Sequence, residues 1–233
     1  MDRNRLQYLQ RMGIDVWVRR DQPPPVPAPV PSVASQDGDL DDEVPVSGLS
    51  WSQLTERVAS CRLCRLCETR TQTVFGVGNP QASLVVVGEA PGAEEDRQGE
   101  PFVGRAGKLL NNMLRAIGLS REQVFILNIL KCRPPNNRDP STEEVAACSP
   151  YLIRQLELIS PRLLLAVGRI AAQTLLDTQQ PLGRLRGRPH TYAAAGIPVI
   201  VTYHPAYLLR SPADKRKAWE DLKLVYDRLR GAD

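Results

Sequence analysis

The sequence predicts an α/β fold, a parallel β-sheet covered by helices on both faces. Four short apolar runs, Leu84–Val87, Val124–Ile129, Leu163–Val167 and Val199–Thr202, are continuous rather than alternating, as in strands buried on both sides. Helical periodicity lies between and after them. Glycine and polar residues crowd the downstream end of each run, where open parallel sheets hold their ligands.

Along the chain, residues 1–48 stand apart. "DRNRLQYLQRMGIDVWV" (2–18) fits a short helix with Leu6, Leu9 and Met12 on one face. "QPPPVPAPVPSVASQDGDLDDEVPVSG" (22–48) is proline-rich, then acidic, and reads as a stiff and then disordered linker. Residues 49–233 form the folded domain. Its helices are expected at Gly104–Ile117, at Pro150–Ile159 with Ser149 as N-cap and Pro150 in the first position, at Arg169–Leu176 and at Asp214–Leu229.

Charge divides the same way. Residues 1–48 hold five arginines and eight acids, a net of −3, so with +4 for the whole chain the remainder carries +7. That excess lies on the folded part, where it can neutralise phosphates. No apolar run approaches membrane-spanning length and there is no signal-peptide core, so no membrane partner is expected and a cytoplasmic protein is the default. In that compartment five cysteines point to metal or catalysis rather than disulfides.

The turn after the first run, "GEAPGAEED", suits backbone N–H groups held against a ligand. It is not a familiar phosphate loop. "GRAGK" has Phe102 where a P-loop needs its first glycine and Leu109 where it needs Ser or Thr, and no GxGxxG occurs. "CRLCRLC" supplies Cys61, Cys64 and Cys67, while Cys132 and Cys148 stand singly. Without a second CxxC knuckle a zinc ribbon is disfavoured. Four thiolates from three places suit an iron–sulfur cluster, against the plainer reading of buried apolar cysteines.

Taken in order, "VFGVGNP", "VVGEAPGAEEDRQGEPFVGRAGKLL", "NILKCRPPNNRDP" and "YHPAYLLR" resemble the successive motifs of family-4 uracil-DNA glycosylases, the iron–sulfur class, from about Cys61 to Arg210. The resemblance implies a three-layer α/β/α sandwich around a four-stranded, mainly parallel sheet. It also implies a [4Fe–4S] cluster on Cys61, Cys64, Cys132 and Cys148, with Cys67 to spare. The activity would be hydrolysis of the N-glycosidic bond of a flipped deoxyuridine, leaving an abasic site. The partner would be uracil-containing DNA, double- or single-stranded. A monomer is expected, with residues 1–48 available to a repair or replication protein.

Site residues carry over one by one. Phe102 would stack on uracil, and Asn128 would read its edge, its carbonyl accepting from N3–H and its amide donating to O4. His204 would donate to uracil O2 as charge develops, assisted by backbone N–H groups of the turn around Ala90. The best-known superfamily members carry an Asp at the place of Ala90, so the water must be handled otherwise. Glu89 is the first candidate, Asn137 another, and Glu95 would exclude thymine's methyl group. Leu208, four residues after His204, would wedge into the DNA stack. Arg184, Arg186 and Arg188 would contact phosphates. Two alternatives stay open: a sibling enzyme of different base range or one trapping uracil covalently, with His190 in "RGRPH", and a non-catalytic iron–sulfur DNA-binding module.

Overall fold

A computed structural model of the chain describes residues 44–231. The expected helix over 2–18, and the linker as far as residue 43, lie outside them. In chain order the regular elements are α1 (Trp51–Ala59), β1 (Val77–Gly78), β2 (Leu84–Gly88), α2 (Ala93–Gln98), α3 (Arg105–Ala116), β3 (Phe125–Asn128) and α4 (Thr142–Ile159). There follow β4 (Leu163–Val167), α5 (Arg169–Leu176), α6 (Leu182–Leu185), β5 (Pro189–Tyr192), β6 (Ile197–Thr202), α7 (Pro205–Arg210) and α8 (Lys215–Arg230).

The four apolar runs are parallel strands in the order β3-β2-β4-β6. Two short antiparallel strands, β1 against β3 and β5 against β6, extend the sheet to six. Side chains alternate across a strand, so each run feeds two cores at once. Val85, Val87, Leu127, Leu164 and Val201 face one, covered by α1, α4 and α5. Leu84, Val86, Ile126, Leu165 and Ile200 face the other, covered by α3, α7 and α8. The result is a three-layer α/β/α sandwich. From β2 the chain passes to β3 on one side and then returns to β4 on the other, so the crevice beyond the carboxyl ends of β2 and β4 is the switch point where such sheets bind ligands.

One helix begins earlier than expected. α4 starts at Thr142, because Ser141 and Glu144 form a capping box: Glu144 N–H donates to Ser141 Oγ at 3.2 Å and Ser141 N–H to the Glu144 carboxylate at 2.9 Å. Pro150 lies inside the helix, and Ser149 is an interior residue whose Oγ donates to the Val145 carbonyl at 2.7 Å. Among the described residues, no helix is long and apolar enough to cross a membrane.

Candidate active site

A cavity of about 470 Å³ opens at the carboxyl edge of the sheet. It is lined by Glu89 and Ala90 beyond β2, Glu95 on α2, Phe102 before α3, Asn128 at the end of β3, Asn137 beyond it, and His204 beyond β6. Gly92, Ala106, Ala206, Tyr207 and Arg210 complete the wall.

Two glycines make this arrangement possible. A Cβ on Gly88 would stand 2.3 Å from Asn128 Oδ1 and 2.8 Å from the Phe102 ring, so only a bare backbone lets amide and ring meet over it. A Cβ on Gly107 would stand 1.7 Å from the Phe102 carbonyl oxygen. Gly107 of "GRAGK" therefore serves close packing rather than phosphate. Phe102 itself has φ 54°, a strained position for an aromatic residue. It is held there by Arg121, whose guanidinium donates to the Phe102 and Pro101 carbonyls. Its ring is 5.5 Å from that of His204, tilted by 30°.

His204 is the N-cap of α7, and its Nδ1 accepts from the Ala206 N–H at 3.1 Å. A ring nitrogen that accepts carries no proton, so the remaining proton sits on Nε2. Burial, helped by the nearby Arg210 charge, lowers the imidazole to about 4. At neutral pH His204 is thus a neutral donor through Nε2–H.

Burial raises the Glu89 carboxyl above its ordinary value; Asp139 adds to this and Arg169 opposes it. Glu95 accepts from the Val103 N–H at 3.2 Å, tying α2 to the segment that carries Phe102. Asn137 follows Asn136 in the left-handed region, φ 53° after 56°, and its Oδ1 accepts from Arg133 Nε at 2.9 Å. Asp96 lies outside the cavity. It is buried and accepts from the Thr71 N–H.

At the rim the structure corrects two expectations. Leu208 is 1% exposed and packs in the core with Leu110 and Leu222, because a six-residue helix turns that side chain onto the sheet; Leu209 is the exposed leucine. Arg186 is not free for DNA. Its Nε donates to the fully buried Asp221 at 2.8 Å and its guanidinium lies 4.3 Å over the Tyr203 ring, which stacks on Tyr207. Arg184 and Arg188 are exposed, in the segment leading into β5 beside the carboxyl end of β6. His190 does not line the cavity, and its Nε2 is held at 2.7 Å by the Leu185 carbonyl.

The cysteines gather on the α1/α4 face. Cys61 and Cys64 pack on the core cluster that contains Cys132 and Cys148. Burial pushes the Cys132 thiol up to about 11, against the Arg70 guanidinium and with added repulsion from Cys148 and Cys64. Burial likewise raises Cys148, opposed by Lys131, with Cys61 and Cys64 adding to it. The four cysteines therefore share one neighbourhood in the core. Donors already face them: Arg70 Nη1 to Cys132 Sγ at 2.8 Å and Lys131 N–H to Cys148 Sγ at 3.3 Å. Such donors are what a thiolate-bound metal centre calls for. Among the described residues no three His, Cys, Asp or Glu side chains converge closely enough for a single ion. A multi-iron cluster asks for wider spacing than one tetrahedral ion.

Comparison with known proteins adds a family. The model of the uracil DNA glycosylase superfamily matches residues 75–223. A type-4 uracil-DNA glycosylase of Archaeoglobus fulgidus is 48% identical over 182 residues, which is 76% of this chain and 92% of that protein. Type-4 enzymes of Thermotoga maritima (45%; 73% of this chain, 90% of theirs) and Sulfurisphaera tokodaii (44%; 76% and 83%) are similar to a comparable degree.

Proposed function

The chain belongs to the uracil-DNA glycosylase superfamily and resembles its type-4 members over most of its length, and from that premise we propose how it removes uracil from DNA. It is a DNA-repair glycosylase: a flipped deoxyuridine loses its base by hydrolysis and an abasic site remains. The observation that carries the mechanism is the convergence of Glu89, Phe102, Asn128 and His204 on one cavity, with the His204 proton fixed on Nε2.

Phe102 stacks on the flipped uracil. The Asn128 carboxamide accepts from N3–H and donates to O4, a pairing that cytosine reverses. The C1′–N1 bond breaks with its electron pair going to the base, and charge spreads to O2, where His204 Nε2–H donates. A neutral donor aimed at growing charge stabilises the transition state more than the ground state. Glu89, as a carboxylate, stabilises the sugar cation and, with Asn137, orients the water whose oxygen joins C1′. Glu95 narrows the site near uracil C5. Among the described residues no lysine lines the cavity, in keeping with hydrolysis rather than a Schiff base. His190, held by the Leu185 carbonyl, gives no support to covalent trapping.

Cys61, Cys64, Cys132 and Cys148 would hold a [4Fe–4S] cluster, which would supply a structural cross-link between the segment after α1, the segment after β3 and α4. Arg184, Arg188 and Arg210, all exposed, would neutralise phosphates, and Leu209 would fill the gap left by the flipped nucleotide. Residues 49–233 as the catalytic domain, a monomeric state, a cytoplasmic site of action and a repair partner for residues 1–48 belong to the same proposal. The test is release of free uracil from a single-uracil oligonucleotide, single- and double-stranded. DNA bound without uracil released would leave only a binding module.

A further inference from the structure

Between the cavity and the cysteines lies a residue neither has used. Lys131 is 1% exposed. Its Nζ donates to the backbone carbonyl of Asn128 at 2.8 Å, its N–H donates to Cys148 Sγ at 3.3 Å, and the next residue is Cys132. Its own carbonyl accepts from the Val74 N–H at 2.8 Å. An ammonium taken into a core is costly unless acceptors and opposite charge surround it. The Asn128 carbonyl is one acceptor. The Lys131 backbone N–H is anchored on Cys148 Sγ, so the buried side chain leaves the chain beside the cysteine centre and ends on the Asn128 peptide.

The bond to Asn128 falls at a sensitive place. Beyond β3 the N–H groups of Ile129 and Leu130 still donate to the Gly88 and Glu89 carbonyls, each at 3.0 Å, while the Asn128 carbonyl is taken by Lys131. The orientation of that peptide sets where the Asn128 carboxamide points over Gly88. We propose that Lys131 is a positioning residue that ties the cysteine centre to the base-reading amide: its N–H is fixed on Cys148 Sγ and its ammonium fixes the Asn128 peptide, and with it the aim of the carboxamide. This rests on the reading of those cysteines as cluster ligands and of Asn128 as the uracil reader.

Lys131→Met tests it, because a buried charge replaced by an apolar chain of similar volume is often tolerated. The variant should keep the wild-type iron and sulfide content. Its kcat on uracil DNA should fall roughly 10- to 100-fold with KM little changed, as a misplacement of about 1 Å costs. The cluster's reduction potential should shift to more negative values, since a neighbouring positive charge is gone. Lys131→Gln keeps an N–H donor without charge, and should recover kcat partly while keeping the shifted potential. A residue that only fills the core would alter stability and leave kcat and potential where they were, which overturns the proposal. Should the Met variant not fold, the Gln variant decides alone: wild-type kcat with an unshifted potential refutes the link. If the wild-type protein carries neither iron nor sulfide, the cluster reading falls. The kcat of the Met variant then decides the Asn128 half by itself, an unchanged value overturning it.

Discussion

The cavity and the cysteine centre share the end of β3, yet they follow opposite rules. Around the cysteines the donors are already engaged, with Arg70 and the Lys131 N–H both turned to sulfur. In the cavity the two groups meant for the base are aimed but unspent. Among the described residues nothing hydrogen-bonds the Asn128 carboxamide or His204 Nε2. On the proposed reading a resident cluster would be met by donors already turned to its ligands, whereas a passing substrate is met by donors that wait for it. Damage to the first should cost cofactor and stability, and damage to the second should cost rate alone.

The largest effects should fall on the cysteine side. Ala at Cys61, Cys64, Cys132 or Cys148 should take iron and sulfide from about four of each, the Cys₄ cluster stoichiometry, to near zero, with a marked fall in melting temperature. Cys67→Ala should keep both. Full iron in the Cys148→Ala protein would break the comparison. On the cavity side Gly88→Ala sharpens it. A Cβ that strikes both Asn128 and Phe102 should cut kcat/KM on the order of 100-fold, with iron content unchanged by metal analysis.

Between these extremes sit the arginines. Arg186→Ala leaves Asp221 buried without its partner and should cost about 3–5 kcal/mol in denaturant unfolding. Arg184→Ala and Arg188→Ala should leave stability alone and each reduce the salt slope of DNA binding by about one. Equal behaviour of all three would remove the distinction between the buried and the exposed arginines.

The pH profile is the mildest probe. Burial raises Glu89 and lowers His204 to about 4, so as pH falls Glu89 protonates first. The acid limb of kcat/KM should therefore lie above the ordinary carboxylate range and disappear in Glu89→Gln. His204 should contribute no ionisation to the activity between pH 5 and 8. For stability the sign runs with pH. The unfolded chain binds a proton at His204 near 6.5 and the folded one only near 4, so the contribution of the neutral ring is full above 6.5 and lost as pH falls toward 4.

What the sequence revealed follows from what is local. The parallel strands were legible because burial on both faces demands unbroken apolar runs, and β4 and α5 match their expected spans. The edge strands were not: β1 is two residues ending in glycine, and β5 is a half-exposed stretch opening on proline. Proline as a helix starter misled at Pro150, while the box at Ser141–Glu144 was the true signal. In the cavity, motifs brought out the residues at the strand ends. Tyr207 and Arg210 were missed, since helix spacing alone does not say which face of α7 meets the opening. The Arg186–Asp221 pair joins residues 35 positions apart, so nothing near Arg186 announced it.

The central claim is that a neutral His204 donates to the charge leaving with uracil. Its most direct test is the single-turnover rate of uracil release by His204→Ala at saturating enzyme, beside its affinity for uracil DNA. By analogy with removal of an oxyanion donor, the rate should fall on the order of 10²–10³-fold, roughly 3–4 kcal/mol, with affinity little changed. A His204→Ala enzyme that releases uracil at the wild-type rate contradicts the account.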